Sequence, residues 1–280
     1  MTLVYACIAP HGSETIEQLA SKPNRRKFRK TALGLHELAR EIGRTKPDTI
    51  VIASPHNLRL SANIGIVLTE NSTGTLRASP RNPTRITLKV KCDVEFATKL
   101  LKRSKRARLP VVGANYGTNE GTTSDMQLDW GTLVPLWFII PRCRRKPRVV
   151  IVTPAREIPL SKNFQFGRVI AEQAENNRKK RVAFIASADQ AHAHKRSGPY
   201  GFSERAKEYD SLVLNALSGN RFGDVMAIPS HLVEAAKPDS LWQMAILAGI
   251  ADRVKLRAEL VSYDAPTYFG MICANFRRVL

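Results

Sequence analysis

Six histidines occur in the 280-residue chain: His11, His36, His56, His192, His194 and His231. Three of them share a setting. His11, His56 and His192 each follow, within a few residues, a run that reads as a β-strand. In an open α/β sheet, parallel strands deliver their C-terminal ends to one edge, and ligands bind in the crevice there. Strands from distant parts of the chain can therefore bring three imidazoles to a common crevice. Imidazole is a borderline ligand suited to iron, zinc, copper or nickel. It also titrates near neutral pH and so can move protons. His11 and His56 share a Pro-His step, which rigidifies the approach to each ring. A lone histidine after a strand is more often a hydrogen-bonded loop residue than a ligand, so the joint pattern carries the argument. His36 lies on an amphipathic helical run and reads as structural. His194 is a rival to His192, but it precedes Lys195-Arg196, which reads as surface, and His231 stays open.

The elements that must position these residues follow from hydrophobic periodicity. Leu3 to Ala9 is an apolar strand run ending in Pro10-His11-Gly12. Leu33 to Ile42 is helical, with Leu35, Leu38, Ala39 and Ile42 on one face. Asp48 to Ala53 is a second buried strand, ending in Ser54-Pro55-His56. Together they form a βαβ unit, which implies parallel strands and a right-handed crossover. Ile64 to Thr69 and Arg85 to Val90 read as an excursion of extra strands. Val94 to Leu101 reads as helix, Gly113 to Thr123 as a loop and Leu133 to Ile140 as a buried helix. The α/β rhythm resumes with a strand at Arg148 to Val152, a helix at about Lys162 to Asn177 and a strand at Arg181 to Ala186. Ser203 to Ala216 and Ser240 to Ala251 are helical, and Glu259 to Ser262 and Thr267 to Ala274 are closing strands. The expectation is one α/β domain over residues 1–280, with a mostly parallel central sheet, an additional β excursion and helices on both faces.

Composition narrows the function classes. Hydrophobic residues make up 43% and charged residues 24%, the balance of a chain that buries a substantial core. Cys7, Cys92, Cys143 and Cys273 form no CxxC pair, which argues against zinc-ribbon and thioredoxin chemistry and for free thiols in a reducing cytoplasm. The N-terminus shows no basic leader with a cleavage site, and the longest apolar run, around Leu133 to Ile140, is too short for a bilayer. The formal net charge is +20, with basic clusters at Arg25 to Lys30, Lys102 to Arg108, Arg142 to Arg148 and Arg178 to Arg181. These clusters are scattered, lack interleaved aromatics and accompany no helix-turn-helix or RNP-type motif. They read as a solvated basic surface that attracts anions, and a nucleic-acid role is not expected.

Several stretches now carry a resemblance. Ile8-Ala9-Pro10-His11-Gly12 resembles the first metal-ligand motif of the class III extradiol dioxygenases, the LigB-type superfamily, and Ser54-Pro55-His56 resembles the second. Asp129-Trp130-Gly131 looks like the family's Asp-His-Gly stretch, leading into a buried helix. Ser187 to His192 is similar to the segment bearing the catalytic histidine. Val233 to Gly249, with Lys237-Pro238-Asp239-Ser240, looks like the segment bearing a ligand carboxylate. The match runs in order over nearly the whole chain.

The resemblance implies a non-haem Fe(II) enzyme that cleaves a catechol-type ring with O2, although an isolated protein of this kind can also carry another divalent metal such as zinc. Its metal ligands would be His11, His56 and Asp239, with Glu234 as the alternative carboxylate. Asp239 follows a proline at a helix start, where it could equally serve as an N-cap. Two neutral histidines and one carboxylate leave one face of an octahedral iron open, as non-haem oxygenases require. His192 would be the acid/base residue. Trp130 stands where protocatechuate-cleaving relatives have a histidine. Tryptophan cannot accept a proton, but it can wall a substrate pocket or stack on an aromatic ring. The implied partners are a small aromatic diol and O2, with self-association into a homo-oligomer open. Two other classes stay in view: a non-enzymatic metal- or partner-binding protein of the same fold, and a basic nucleic-acid-associated protein.

Overall fold

The computed structural model describes residues 2–79, 82–177 and 179–279. β1 (Leu3–Ala9) is buried along nearly its whole length and is followed by α1 (Lys22–Lys27) and α2 (Arg29–Arg44). α2 buries Leu35, Leu38, Ala39 and Ile42 against the sheet, the face read from the sequence. β2 (Thr49–Ala53), β3 (Ile64–Val67), β4 (Asn71–Ser79) and β5 (Asn82–Lys91) precede α3 (Val94–Arg106). β6 (Val111–Ala114), β7 (Asp125–Gln127) and α4 (Trp130–Ile139) complete the first half. The second half runs β8 (Arg148–Thr153), α5 (Leu160–Asn176), β9 (Val182–Ser187), α6 (Arg205–Ser218), α7 (Ser230–Ala236), α8 (Leu241–Arg253), β10 (Leu256–Asp264) and β11 (Met271–Arg278).

Among the described residues the main sheet has eight strands in the order β10-β11-β1-β9-β2-β8-β3-β6. β1, β9, β2 and β8 run parallel at its centre. β11 pairs antiparallel with β1, and β3 antiparallel with β8. A second sheet, β5-β4-β7, stands apart. Residues alternate between two cores. Ile8, Val51 and Phe184 face α3, α5, α6 and α8, whereas Cys7, Ile52 and Ile185 face α2, α4 and the small sheet. The chain is thus one α/β domain with helices on both faces.

The excursion differs from expectation. Ile64–Val67, read as part of it, instead joins the main sheet beside β8 and β6. β4 lies in the stretch rich in Asn, Ser and Gly that separates the two runs read as extra strands, and it is a strand because β5 and β7 pair with it on both sides. β6 falls partly in the segment read as a loop, and Thr267 to Gly270 lies before the last strand. α1 carries too few apolar residues to be legible, and α7, with seven residues, is too short to show a helical period. The basic residues Arg25, Arg26, Lys27, Arg29 and Lys30 are exposed around the start of α2, while Arg178 of the fourth cluster lies outside the described residues.

Two glycines set the depth of α8, the helix that follows Asp239. A Cβ on Gly167 would lie 1.9 Å from the Ile246 carbonyl oxygen, and one on Gly249 would lie 1.9 Å from that of Phe164. Only glycine lets α5 and α8 approach this closely. No helix among the described residues is long and apolar enough to cross a membrane.

Candidate metal centre

Strand register brings the motifs to one place. Ala9 pairs with Ser187, and Ala53 pairs with both Ala186 and Val152, so the ends of β1, β9, β2 and β8 lie level at one edge. His11, His56 and the segment Ser187 to His192 leave that edge together. Asp239 enters from the turn between α7 and α8. Lys237 ends α7 in the left-handed region (φ 53°, ψ 50°), and its amide closes on the Val233 carbonyl, turning Pro238-Asp239 into the crevice.

Three donor atoms meet there. His11 Nε2 lies 3.2 Å from Asp239 Oδ2, His56 Nε2 lies 3.2 Å from the same oxygen, and the two Nε2 atoms are 3.2 Å apart. An ion about 2.1 Å from three donors gives sides of about 3.0 Å on an octahedral face and about 3.4 Å in a tetrahedron. The observed triangle lies between these values and fits a single divalent ion. His11 and Asp239 are buried, and His56 is half-buried. The Asp239 carboxylate makes no capping bond to α8. Its Oδ2 faces the histidines, and its Oδ1 accepts the Asp189 amide at 3.1 Å. Glu234 lies exposed on the wall of the adjoining cavity, outside this cluster.

The surroundings fix the donors. Ser187 Oγ donates to the Gly131 carbonyl and lies 3.0 Å from His11 Nδ1. Since the hydroxyl proton is committed, Oγ accepts from Nδ1–H, and a neutral His11 then offers its Nε2 lone pair to the centre. Asp129 caps α4 by accepting from the Thr132 amide at 3.0 Å, and it also accepts from Ser54 Oγ at 2.6 Å. Trp130 stacks on the His56 imidazole at 4.1 Å between ring centroids, and it is absent from the cavity lining. Gly131 permits this packing: a Cβ there would lie 2.5 Å from Ser54 Oγ and 3.3 Å from His56 Cδ2.

Asp189, which the sequence pattern did not single out, interlocks the centre. Its Oδ1 accepts the His11 amide at 3.0 Å, and its Oδ2 lies 3.3 Å from His11 Nε2. Burial pushes its carboxyl up to about 6, with His11 opposing and Asp239 adding to the rise. Burial works against charge on His11, but Asp189 and Asp239 outweigh it and raise the imidazole to about 9. Burial also works against charge on Asp239, but His11 and His56 hold its carboxyl far below the usual range. His11, Asp189 and Asp239 form a coupled buried cluster, and a cation bound there would displace the His11 proton. An acid three residues beyond the strand run that ends at Ala186 was the available signal for Asp189.

His192 sits beside the centre without joining it. Its Nδ1–H donates to the Gln190 carbonyl at 2.8 Å, which leaves Nε2 as the lone-pair nitrogen. Phe269 stacks on the ring at 5.6 Å between centroids. His194 is not at the surface as expected. Its side chain is only 6% exposed because Nε2 pairs with Asp210 at 2.8 Å. Asp210 also accepts from Tyr263 Oη at 2.8 Å and from the Ala191 amide at 2.9 Å, so this network pins the loop that carries His192. His36 packs edge-on against Phe138, and His231 is exposed on α7. His56, Asp239 and His192 all open on a cavity of about 950 Å3.

Comparisons with known proteins agree with this architecture. The chain is 25% identical over 259 residues to protein CA_C1420 of Clostridium acetobutylicum, covering 92% of this chain and 54% of that one, so it spans about half the length of this relative. Its fold is similar to that of the uncharacterized protein JW3007 from Escherichia coli K12, with a TM-score of 0.59, 15% identity and coverage of 97% and 99% of the two chains. Residues 5–273 match the family described as the catalytic LigB subunit of aromatic ring-opening dioxygenase, and the chain belongs to that family.

Proposed function

We propose that this protein is a non-haem, Fe(II)-dependent extradiol dioxygenase that cleaves a catechol-type ring with O2. The observation that carries the reading is the 3.2 Å triangle of His11, His56 and Asp239 donors at the strand edge, opening on a cavity that His192 also lines. His11, His56 and Asp239 are the ligands. Iron(II) held there would supply the redox chemistry that joins ring and dioxygen. His192 takes a proton from a catechol hydroxyl at Nε2 and returns it as the ring opens, its tautomer held by the Gln190 carbonyl. The Asp210 network keeps that imidazole in place. Four buried, unpaired thiols support a reducing, cytoplasmic setting.

The test is anaerobic loading with Fe(II), followed by a panel of catechols with oxygen uptake recorded. The expected result is stoichiometric O2 consumption with at least one diol. Full iron occupancy with no uptake across the panel would sink the reading. Asp239→Ala should lose the metal and Glu234→Ala should keep it, and the reverse would reassign the carboxylate.

A further inference from the structure

Two of the basic clusters are far apart in sequence and adjacent in the fold, and a third lies next to them. Val182 and Thr49 are paired, as are Thr49 and Arg148, so β9, β2 and β8 start level at the sheet edge opposite the metal centre. Backbone bonds tie their flanks together. The Asp48 amide donates to the Arg181 carbonyl at 2.8 Å, and the Arg148 amide donates to the Asp48 carbonyl at 2.9 Å. The end of α2 joins them. Arg181 Nε donates to the Thr45 carbonyl at 2.7 Å, and a Cβ on Gly43 would lie 2.6 Å from the Arg142 carbonyl oxygen. Arg44, Lys46, the cations from Arg142 to Arg148, and Lys179 to Arg181 therefore share one edge, and Asp48 is the single acid in those segments. All of these cations except Lys180 are exposed.

The face continues along α3. Lys180 bridges Asp93 and Glu95 at 2.9 and 3.4 Å, and Glu95 also accepts from Lys99. Beyond Lys99 runs a cleft of about 380 Å3 between α3 and α5. Lys99, Lys102, Arg103 and Arg106 line it opposite Gln173 and Asn176, and no carboxylate among the described residues faces it. Cations in the last turn of α3 are what a helix dipole favours. That reason does not extend to Arg144, Arg145, Lys146 and Lys179, which stand exposed in turns outside any helix. Gathering like charges on one edge is unfavourable in the free protein, and bound anions relieve it.

The chemistry of the face selects the anion. None of the exposed large hydrophobic side chains belongs to these segments. A protein partner or a bilayer calls for apolar and aromatic anchors, and unpaired bases call for aromatic platforms. Duplex nucleic acid calls for neither, because its phosphates present one charge for about every 1.7 Å of axis. We infer that the sheet edge opposite the metal centre, continued by the α3–α5 cleft, binds the phosphate backbone of duplex nucleic acid without reading base sequence. The face is separate from the proposed reaction, since it contains no metal ligand and no residue of the cavity beside the centre. The remaining basic cluster, Arg25 to Lys30, lies at the opposite end of α2 and provides an internal control.

The test is fluorescence anisotropy with labelled DNA and RNA duplexes of about 20 base pairs, each in two unrelated sequences. At low salt the wild-type protein should bind at least one kind of duplex in both sequences alike. Its log affinity should fall against log salt with a slope of about −4 to −6, the signature of about five or six phosphates. The combined variant Arg144→Gln, Arg145→Gln, Lys146→Gln, Lys179→Gln should bind about tenfold or more weakly and flatten that slope by about 3 to 4. The variant Arg26→Gln, Lys27→Gln, Arg29→Gln, Lys30→Gln removes the same charge elsewhere and should change affinity by less than about threefold. Equal losses in the two variants would mean that net charge alone acts, and would overturn the inference. So would no binding of either duplex, a preference of about tenfold for one sequence, or tighter binding to phosphatidylserine vesicles than to duplex. Amine acetylation of the wild-type protein maps the face without any variant. Bound duplex should protect Lys146 and Lys179 and leave Lys27 and Lys30 reactive, and the reverse pattern would also overturn the inference.

Discussion

Ser187→Ala is the sharpest probe of how the fold prepares the centre. Ser187 is fully buried at the end of β9, and its hydroxyl serves two groups at once. It accepts from His11 Nδ1–H and donates to the Gly131 carbonyl. The carbonyl's need comes from the sequence of α4. Its usual partner four residues on is Pro135, which has no N–H. Removing the hydroxyl therefore strands a donor and an acceptor that water cannot reach. Each unpaired buried group costs about 1–3 kcal/mol, so the variant should lose about 2–6 kcal/mol of stability. His11 also loses the contact that fixes its tautomer and orientation, which should weaken metal binding about ten- to a hundredfold. Anaerobic Fe(II) titration and urea denaturation of the metal-free protein measure the two effects separately. A stability loss with unchanged metal affinity would refute the orienting role. No change in either would refute the hydrogen-bond assignment.

Three further outcomes follow from the same structure. His192→Gln should keep Fe(II) and still bind catechol while losing about a hundredfold in turnover, and near-normal turnover would move the proton transfer elsewhere. Asp210→Ala leaves three donors without their acceptor, so it should cost about 3 kcal/mol of stability and lower turnover per bound metal without lowering metal affinity; unchanged turnover would mean that the His192 loop needs no brace. Asp93 is a depressed carboxyl: burial opposes its charge, but Thr49, Lys180 and the Phe96 amide outweigh burial. Its contribution is present above the unfolded pKa of about 4 and fades as pH falls through the lower folded value, so Asp93→Asn should be about 1–3 kcal/mol less stable at pH 7, with the gap closing under acid; a pH-independent gap would contradict the assignment.

The parts of the centre differ in how readable they were. His11 and His56 end apolar runs that alternate with a clearly amphipathic α2, so periodicity alone places them at one sheet edge. Asp239 was reachable only through the resemblance, because an Asp after Pro at a helix start is also what an N-cap looks like. In the structure Ser240 takes the N-cap position of α8, and Asp239 Oδ2 lies 3.2 Å from both Nε2 atoms, a fact of tertiary contact. Asp189 and Ser187 lay inside a recognised segment, yet their roles depend on the β1–β9 register that sets them against His11. His194 was misjudged because Lys195-Arg196 beside it suggested surface, whereas its partner Asp210 comes from α6. β4 escaped for a similar reason. A polar segment becomes a strand when neighbours on both sides supply its hydrogen bonds, and nothing local encodes those neighbours.

Trp130 tests whether the start of α4 supports the metal or the substrate. Asp129, Trp130 and Gly131 each touch the centre: Asp129 through Ser54, Trp130 through the His56 ring, and Gly131 through Ser187 to His11. Protocatechuate-cleaving relatives place a histidine where Trp130 stands, but an indole N–H only donates and cannot accept a proton. On the proposed reading proton transfer falls to His192, and Trp130 braces the His56 imidazole. Stacking of this kind contributes about 0.5–1.5 kcal/mol, so Trp130→Ala should weaken Fe(II) binding about two- to tenfold. Turnover per bound metal, and its dependence on pH, should stay as in the wild type. The indole is 47% exposed, so its removal should leave the fold intact and the comparison clean. The opposite pattern, unchanged metal affinity with a collapse in turnover or a sharp rise in KM, would mean that the indole touches the substrate, and the brace would be the wrong description of α4.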